Sequence, residues 1–167
     1  CTEDISGTNP VMIWIHGGAL VTGGSSSMMY ELTDLAKRGI VIVSINYRLG
    51  PLGFLRLEEV TNGKINSSGN EGLKDQRNAI KWVKKNISSF GGDPNNITIF
   101  GESAGSWSCN LQIAAGSEGL FNKAICQSGG LDAVASKDKA NKWSELFIKQ
   151  FKNDGHSIND LRSCKWQ

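Results

Sequence analysis

Residues 97–105 read Ile-Thr-Ile-Phe-Gly-Glu-Ser-Ala-Gly. The first four form a β-branched and aromatic run, the composition of a buried strand. The last five are Gly-x-Ser-x-Gly, and helical spacing begins at residue 104. A strand that ends in this pentapeptide and turns at once into a helix is the pattern of a nucleophile elbow. Its sharp turn holds a serine hydroxyl exposed at the top of a sheet. Ser103 is therefore the candidate nucleophile of an acyl-transfer enzyme. Gly101 and Gly105 stand where a Cβ would clash with a neighbouring strand or helix. In a chain this rich in glycine and serine the bare pentapeptide arises by chance about a quarter of the time, so its place between strand and helix carries the inference.

Working outward, residues 11–15 (VMIWI) form a second apolar run, bounded by Pro10 and Gly17-Gly18, and residues 40–45 a third. Both read as fully buried strands. Between them, the spacing predicts a helix over 28–37, with Leu32, Leu35 and Ala36 on one face and Gly39 as its stop. Residues 56–68 are polar and rich in glycine and asparagine, a surface loop. Residues 73–87 are amphipathic, with Leu73, Ala79, Ile80, Val83 and Ile87 at helical intervals, until Gly91-Gly92-Asp93-Pro94 breaks the pattern. A helix is expected from 104 to about 115 and a strand over 124–127. A last helix is expected over 137–151, with Trp143, Leu146, Phe147 and Phe151 on its apolar side. Strands and helices alternate, so the fold class is α/β: a doubly wound, mostly parallel sheet with helices on both faces.

Composition narrows the function classes. The chain has 167 residues and a net charge of +2, too small to argue for nucleic acid or an anionic membrane. No apolar run reaches the length of a membrane span. A start at Cys1 suggests a processed or incomplete chain. Of the four cysteines, Cys109 and Cys126 sit among apolar neighbours and are expected to be buried free thiols. Cys1 and Cys164 are candidates for half-cystines with partners elsewhere. Their spacing fits no zinc pattern, and neither a metal nor a nucleotide cofactor is implied. Three glycosylation sequons begin at Asn66, Asn86 and Asn96, of which Asn66, in the polar loop, suits a glycan best.

A second motif supports the elbow. His16-Gly17-Gly18-Ala19 follows the strand at 11–15. Ester hydrolysis needs at least two N–H donors aimed at the oxyanion of the tetrahedral intermediate, each worth about 3 kcal/mol of barrier. The residue after the nucleophile, Ala104, supplies one. A glycine-rich loop upstream of the serine supplies the others, in the chain order seen here.

With these residues the chain resembles the type-B carboxylesterase and cholinesterase family of α/β-hydrolases. The matching blocks are PVMIWIHGG (10–18), SINYRLGPLGFL (44–55), GNEGLKDQ (69–76), KWVKKNISSFGGDPNNITIF (81–100), GESAG (101–105) and GLFNKAICQSG (119–129). They run in family order from about residue 10 to 130. The resemblance implies one partial domain over 1–167, an α/β-hydrolase sheet incomplete in its C-terminal half. It implies oxyanion donors at Gly18, Ala19 and Ala104, supported by Gly17, and an electrostatic role for Glu102 near the substrate pocket. It also implies a structural ion pair between Arg48 and Asp75. Many members have glycine where Ala19 stands; alanine keeps the N–H and is tolerated provided φ there is negative.

The resemblance places the triad acid and histidine far downstream of the serine, beyond residue 167. His16 belongs to the oxyanion loop, and His156 is expected in an exposed loop. The chain departs from the family pattern at residues 5–9 and lacks the upstream partner of Cys164. The activity implied is carboxylic-ester hydrolysis through an acyl-serine intermediate, on a small-molecule ester left open. This chain alone is expected to be inactive, with exposed apolar faces that favour association. The alternatives are a non-catalytic cholinesterase-like adhesion domain and a truncated inactive product. The family suggests a secreted or endoplasmic-reticulum location; a membrane tether or homo-oligomer is not readable.

Overall fold

A computed structural model describes residues 8–27, 30, 32–117, 119–132 and 134–162. Cys1, the block at 2–7, Met28 and Cys164 lie outside these. Four parallel strands form one sheet in the order β2-β1-β3-β4: β1 Asn9–Ile15, β2 Val41–Ile45, β3 Gly92–Glu102 and β4 Lys123–Gln127. The helices are α1 Thr33–Ala36, α2 Gly50–Phe54, α3 Glu71–Asn86, α4 Ala104–Ala114 and α5 Lys137–Asn153. Single 3-10 turns follow α3 and α5, at Ile87–Phe90 and Ile158–Arg162. The chain moves from β1 outward to β2, then back past β1 to β3. The winding direction therefore reverses between β1 and β3, which is where open α/β sheets bind ligands.

The α/β class and the parallel sheet are as the pattern of apolar runs implies. Val11, Ile13 and Ile15 of β1 and Ile97 and Ile99 of β3 have no exposed surface, and they pack with Ile80, Val83 and Ile87 of the α3 region and Cys109 of α4. Because side chains alternate along a strand, Trp14 and Phe100 face the other way. They are partners in register and their rings lie 4.9 Å apart, with Tyr30 a further 4.9 Å from Trp14. α3 and α4 touch each other on the face that holds Val11, Ile13 and Ile15, and the right-handed crossover rule puts α1 on the other.

Several expectations change. The helix over 28–37 shrinks to α1, one turn with no buried residue. Tyr30 lies outside it, its ring spent against Trp14, and Gly39 at φ 76° turns the chain toward β2. The strand at 97–100 is longer: β3 runs from Gly92 through Glu102, so Gly101 pairs with both Ile15 and Cys126. α2 was not expected; Pro51 near its start pre-sets the helical φ. α5 packs on residues 55–65 rather than on the sheet, burying Ser144, Ile148 and Phe151. Trp143 and Leu146, assigned to its apolar side, are exposed, and Lys139 lies over the Trp143 ring at 5.0 Å. Cys109 is buried, and that burial pushes its thiol up to about 12. Cys126 is exposed, because β4 is an edge strand.

Candidate active site

The elbow is dictated by backbone contacts. Ser103 has φ 56° and ψ −120°, a region that non-glycine residues avoid at a cost of about 1–3 kcal/mol. Its neighbours fix it there. The Ser103 N–H donates to Gln127 O at 2.9 Å, tying the turn to the end of β4, and its carbonyl accepts from the Trp107 N–H at 3.1 Å. A Cβ on Gly105 would sit 2.0 Å from Ile15 O, and one on Gly101 2.5 Å from the Gly105 carbonyl carbon. The two glycines let α4 close on β1 and β3 with no side chain between. On the other side, a Cβ on Gly129 would meet Ser103 O at 2.7 Å. The Gly129 carbonyl accepts from Ser106 Oγ at 2.7 Å and Asn110 Nδ2 at 3.2 Å.

Residues 16–23 form the second half of the site, beyond the end of β1. A Cβ on Gly17 would lie 3.3 Å from Ser103 Cβ and 2.8 Å from Glu102 O, so this backbone runs against the elbow. Glu102 Oε2 would lie 3.4 Å from the same point, which sets the carboxylate beside both serine and loop. Gly18, Ala19 and Leu20 follow with φ of 105°, 55° and 64°. The condition set for Ala19 is not met: its φ is positive, a left-handed conformation that strains any side chain. The Gly18 carbonyl accepts from Val21 and Thr22 N–H groups, both at 3.0 Å. Among the described residues, the N–H groups of Gly18, Ala19 and Ala104 have no hydrogen-bond acceptor. The Ala104 N–H is also the first of an 11-residue helix, where the macrodipole favours negative charge.

The histidines are engaged elsewhere. His16 is buried, and its ring stacks on Tyr47 with centroids 4.4 Å apart. His16 Nδ1 lies 2.8 Å from Gly17 O; a carbonyl can only accept, so Nδ1 carries the proton. His156 is exposed beyond α5 and stacks on Phe151 at 4.7 Å. Among the described residues neither a histidine nor a carboxylate hydrogen-bonds the Ser103 hydroxyl.

Arg48 and Asp75 meet in a two-pronged pair, Nε to Oδ2 at 2.7 Å and Nη2 to Oδ1 at 2.8 Å. The Arg48 N–H adds a bond to Oδ2 at 3.1 Å. These bonds hold the Asp75 carboxyl below the usual carboxylate range. Sequence reasoning missed three supports. Glu71 collects the N–H groups of Ser68 and Gly69, the hydroxyls of Ser67 and Ser68, and Lys74 Nζ. Its burial alone raises the pKa, but these donors outweigh it and hold the carboxyl at about 2. Gln76, fully buried in α3, donates to Ser108 Oγ at 2.9 Å, and Ser108 donates to Ala104 O at 2.9 Å. A polar chain thus links α3 to the first turn of α4. The third support is Tyr47, whose Oη–H donates to His16 O at 2.7 Å.

Asn66 is exposed in the 56–68 loop, whose ends close through an antiparallel bridge between Arg56 and Ser68. Among the described residues no helix is long and apolar enough to cross a membrane, and no group of three His, Cys, Asp or Glu side chains gathers to hold a metal.

Comparison with known proteins agrees with this fold. The model of the carboxylesterase family matches residues 2–166. The chain is 46% identical to para-nitrobenzyl esterase of Bacillus subtilis (strain 168) over 84% of its own length, and 47% identical to bile salt-activated lipase of Mus musculus over 97%. It spans 28% of each of those proteins. Among solved structures, a carboxylesterase of Geobacillus stearothermophilus superposes with a TM-score of 0.85 at 40% identity, over 90% of this chain and 32% of that one. A PNB esterase superposes at 0.81 and 39% identity, over 95% and 33%. The chain belongs to the carboxylesterase family, and it spans less than a third of the length of these relatives and about a third of the solved structures.

Proposed function

We propose that Ser103 is the nucleophile of a serine carboxylic-ester hydrolase and that the N–H groups of Gly18, Ala19 and Ala104 form its oxyanion hole. The observation that carries this reading is the meeting of two backbones. A serine at φ 56° stands at the first turn of α4, and a loop that opens with the bare backbone of Gly17 and Gly18 and bears unpaired N–H groups lies against its Cβ. Ser103 Oγ attacks the ester carbonyl carbon as its proton passes to a general base. The carbonyl oxygen becomes an oxyanion, and each donor aimed at it lowers the barrier by about 3 kcal/mol. Collapse expels the alcohol, which takes the proton back, and leaves an acyl-serine. Water, deprotonated by the same base, then releases the acid.

The base and its carboxylate come from outside these residues in this proposal, since His16 is spent on Gly17 O and His156 stacks on Phe151. Residues 1–167 alone are then inactive, and the intact protein is the enzyme. Glu102 contributes a negative charge beside Ser103. The Arg48–Asp75 pair is structural. The substrate class is carboxylic esters of small molecules. A secretory route with a glycan at Asn66 is part of the same proposal, resting on the exposed sequon.

The test is labelling of the intact protein with a fluorophosphonate, together with turnover of a p-nitrophenyl ester. The parent protein is expected to label and turn over, and Ser103→Ala to lose both by more than about a thousandfold. An unchanged rate in Ser103→Ala would remove Ser103 from the mechanism.

A further inference from the structure

We propose that Tyr47 is a positioning residue for the oxyanion loop, acting together with the Gly50 N–H as a two-point clamp on residues 16–20. The inference rests on the assignment of Gly18 and Ala19 as oxyanion donors, and it adds what holds them.

Tyr47 continues the alternation of β2. Val41 and Ile45 face the core, and position 47, two residues on, is buried with them just beyond the strand. Its phenol lies under the start of the loop. Oη–H donates to His16 O at 2.7 Å, and the ring stacks on the His16 imidazole at 4.4 Å and 16°. That imidazole in turn donates to Gly17 O at 2.8 Å. Three residues after Tyr47, the Gly50 N–H donates to Leu20 O at 2.7 Å. The two contacts bracket Gly18, Ala19 and Leu20, the three successive positions with positive φ. Two of these carry side chains, and such conformations persist only where the surroundings over-determine them. Burial raises the Tyr47 phenol above its usual pKa, so the donor stays protonated in neutral solution.

The clamp has its own anchor. Arg48, between its two contact points, is fixed to Asp75 of α3 through both its backbone N–H and its guanidinium. The Arg48 carbonyl lies 2.1 Å from where a Cβ on Gly53 would be and 2.6 Å from one on Gly72. α2 and α3 therefore close on residue 48 with no side chain between. The route from α3 to the oxyanion donors is thus a short chain of contacts: Asp75, Arg48, Tyr47 and Gly50, His16 and Leu20. The donors on Gly18 and Ala19 are useful only if they point to within ~3 Å of the oxyanion.

Tyr47→Phe in the intact protein keeps the ring and its stack and removes only the O–H. Rates are taken per site titrated with a fluorophosphonate, so that unfolded protein does not count. The expected result is a fall of about tenfold in kcat with KM within about twofold. Affinity for a trifluoromethyl ketone, whose hemiketal places an oxyanion in the hole, falls by the same factor. Affinity for the corresponding secondary alcohol, which carries no oxyanion, stays unchanged. Asp75→Asn, which loosens the anchor of the half-exposed Arg48, gives a second test, with kcat lower by about threefold at constant KM. Parent values of kcat and ketone affinity in either variant, or equal losses for ketone and alcohol, overturn the clamp. A Ser103→Ala protein that keeps the parent rate overturns the underlying site assignment instead, and so separates the two failures.

Discussion

The elbow at 97–105 and the loop at 16–23 face each other across the end of the sheet, and they are held in opposite ways. The elbow is fixed by backbone packed on backbone. Its glycines are demanded by contacts of 2.0–2.7 Å that any side chain would make with Ile15 O and the Gly105 backbone, and its strain is confined to Ser103. The loop is fixed from outside. Its strain is spread over Gly18, Ala19 and Leu20, and its hold comes from Tyr47 and Gly50, which Asp75 holds in turn. A nucleophile must stay in one place, so its turn is built from backbone alone. Donors that must meet a developing charge hang on a chain of side chains, where substitution and pH can reach them.

The contrast is broken most severely at Gly105. Gly105→Ala pushes a methyl to within 2.0 Å of a strand carbonyl, and the outcome expected is a loss of about 3 kcal/mol or more, read by urea unfolding of the intact protein. A loss under about 1 kcal/mol would mean that the elbow relaxes and is not fixed by backbone packing against β1.

Acid tests the other side. Glu71 lies in the first turn of α3, one turn ahead of Asp75, and its pKa is depressed from 4.5 to about 2. A depressed carboxylate contributes stability that is present above its unfolded value and lost as pH falls through the folded one. The contribution is therefore complete above about pH 5 and fades toward pH 2, amounting to about 3 kcal/mol. Glu71→Gln is expected to flatten the stability-against-pH curve in that window. A curve parallel to the parent's would exclude Glu71 as the acid-sensitive support.

Asp75→Asn should cost less, about 1 kcal/mol, because Arg48 is half-exposed and water screens the pair. Per titrated site, kcat should also fall by about threefold at constant KM. A pair that supports the fold without bearing on the oxyanion loop would leave the per-site kcat at the parent value. The smallest effect is at Ala19, where φ of 55° suits glycine. Ala19→Gly should leave the N–H in place and stabilise by under about 1 kcal/mol, less the entropy that glycine adds to the unfolded chain. Thermal unfolding of the paired proteins reads this directly.

The same contrast explains what the amino-acid order made legible. The strands at 11–15, 40–45 and 97–100 announce themselves because their apolar runs are continuous. The elbow is legible because its steric demand leaves glycines at fixed offsets from a serine. The clamp is not, because Tyr47 acts through a phenol meeting a backbone carbonyl 31 residues upstream, and sequence spacing does not encode such contacts. The period of β2 extended to residue 47 was the one available hint. The short α1 escaped for a similar reason: Tyr30 has the composition of a helix face and is instead used against Trp14. Exposure of Trp143 and Leu146 on α5 likewise depends on what the helix packs against, which periodicity cannot supply.

The most direct test is a crystal structure of the intact protein carrying a phosphonyl adduct. The account predicts phosphorus on Ser103 Oγ, with the anionic oxygen within about 3 Å of the Gly18, Ala19 and Ala104 nitrogens and residues 16–20 still gripped by Tyr47 and Gly50. An adduct on another residue, or an oxygen turned away from the three N–H groups, would contradict it.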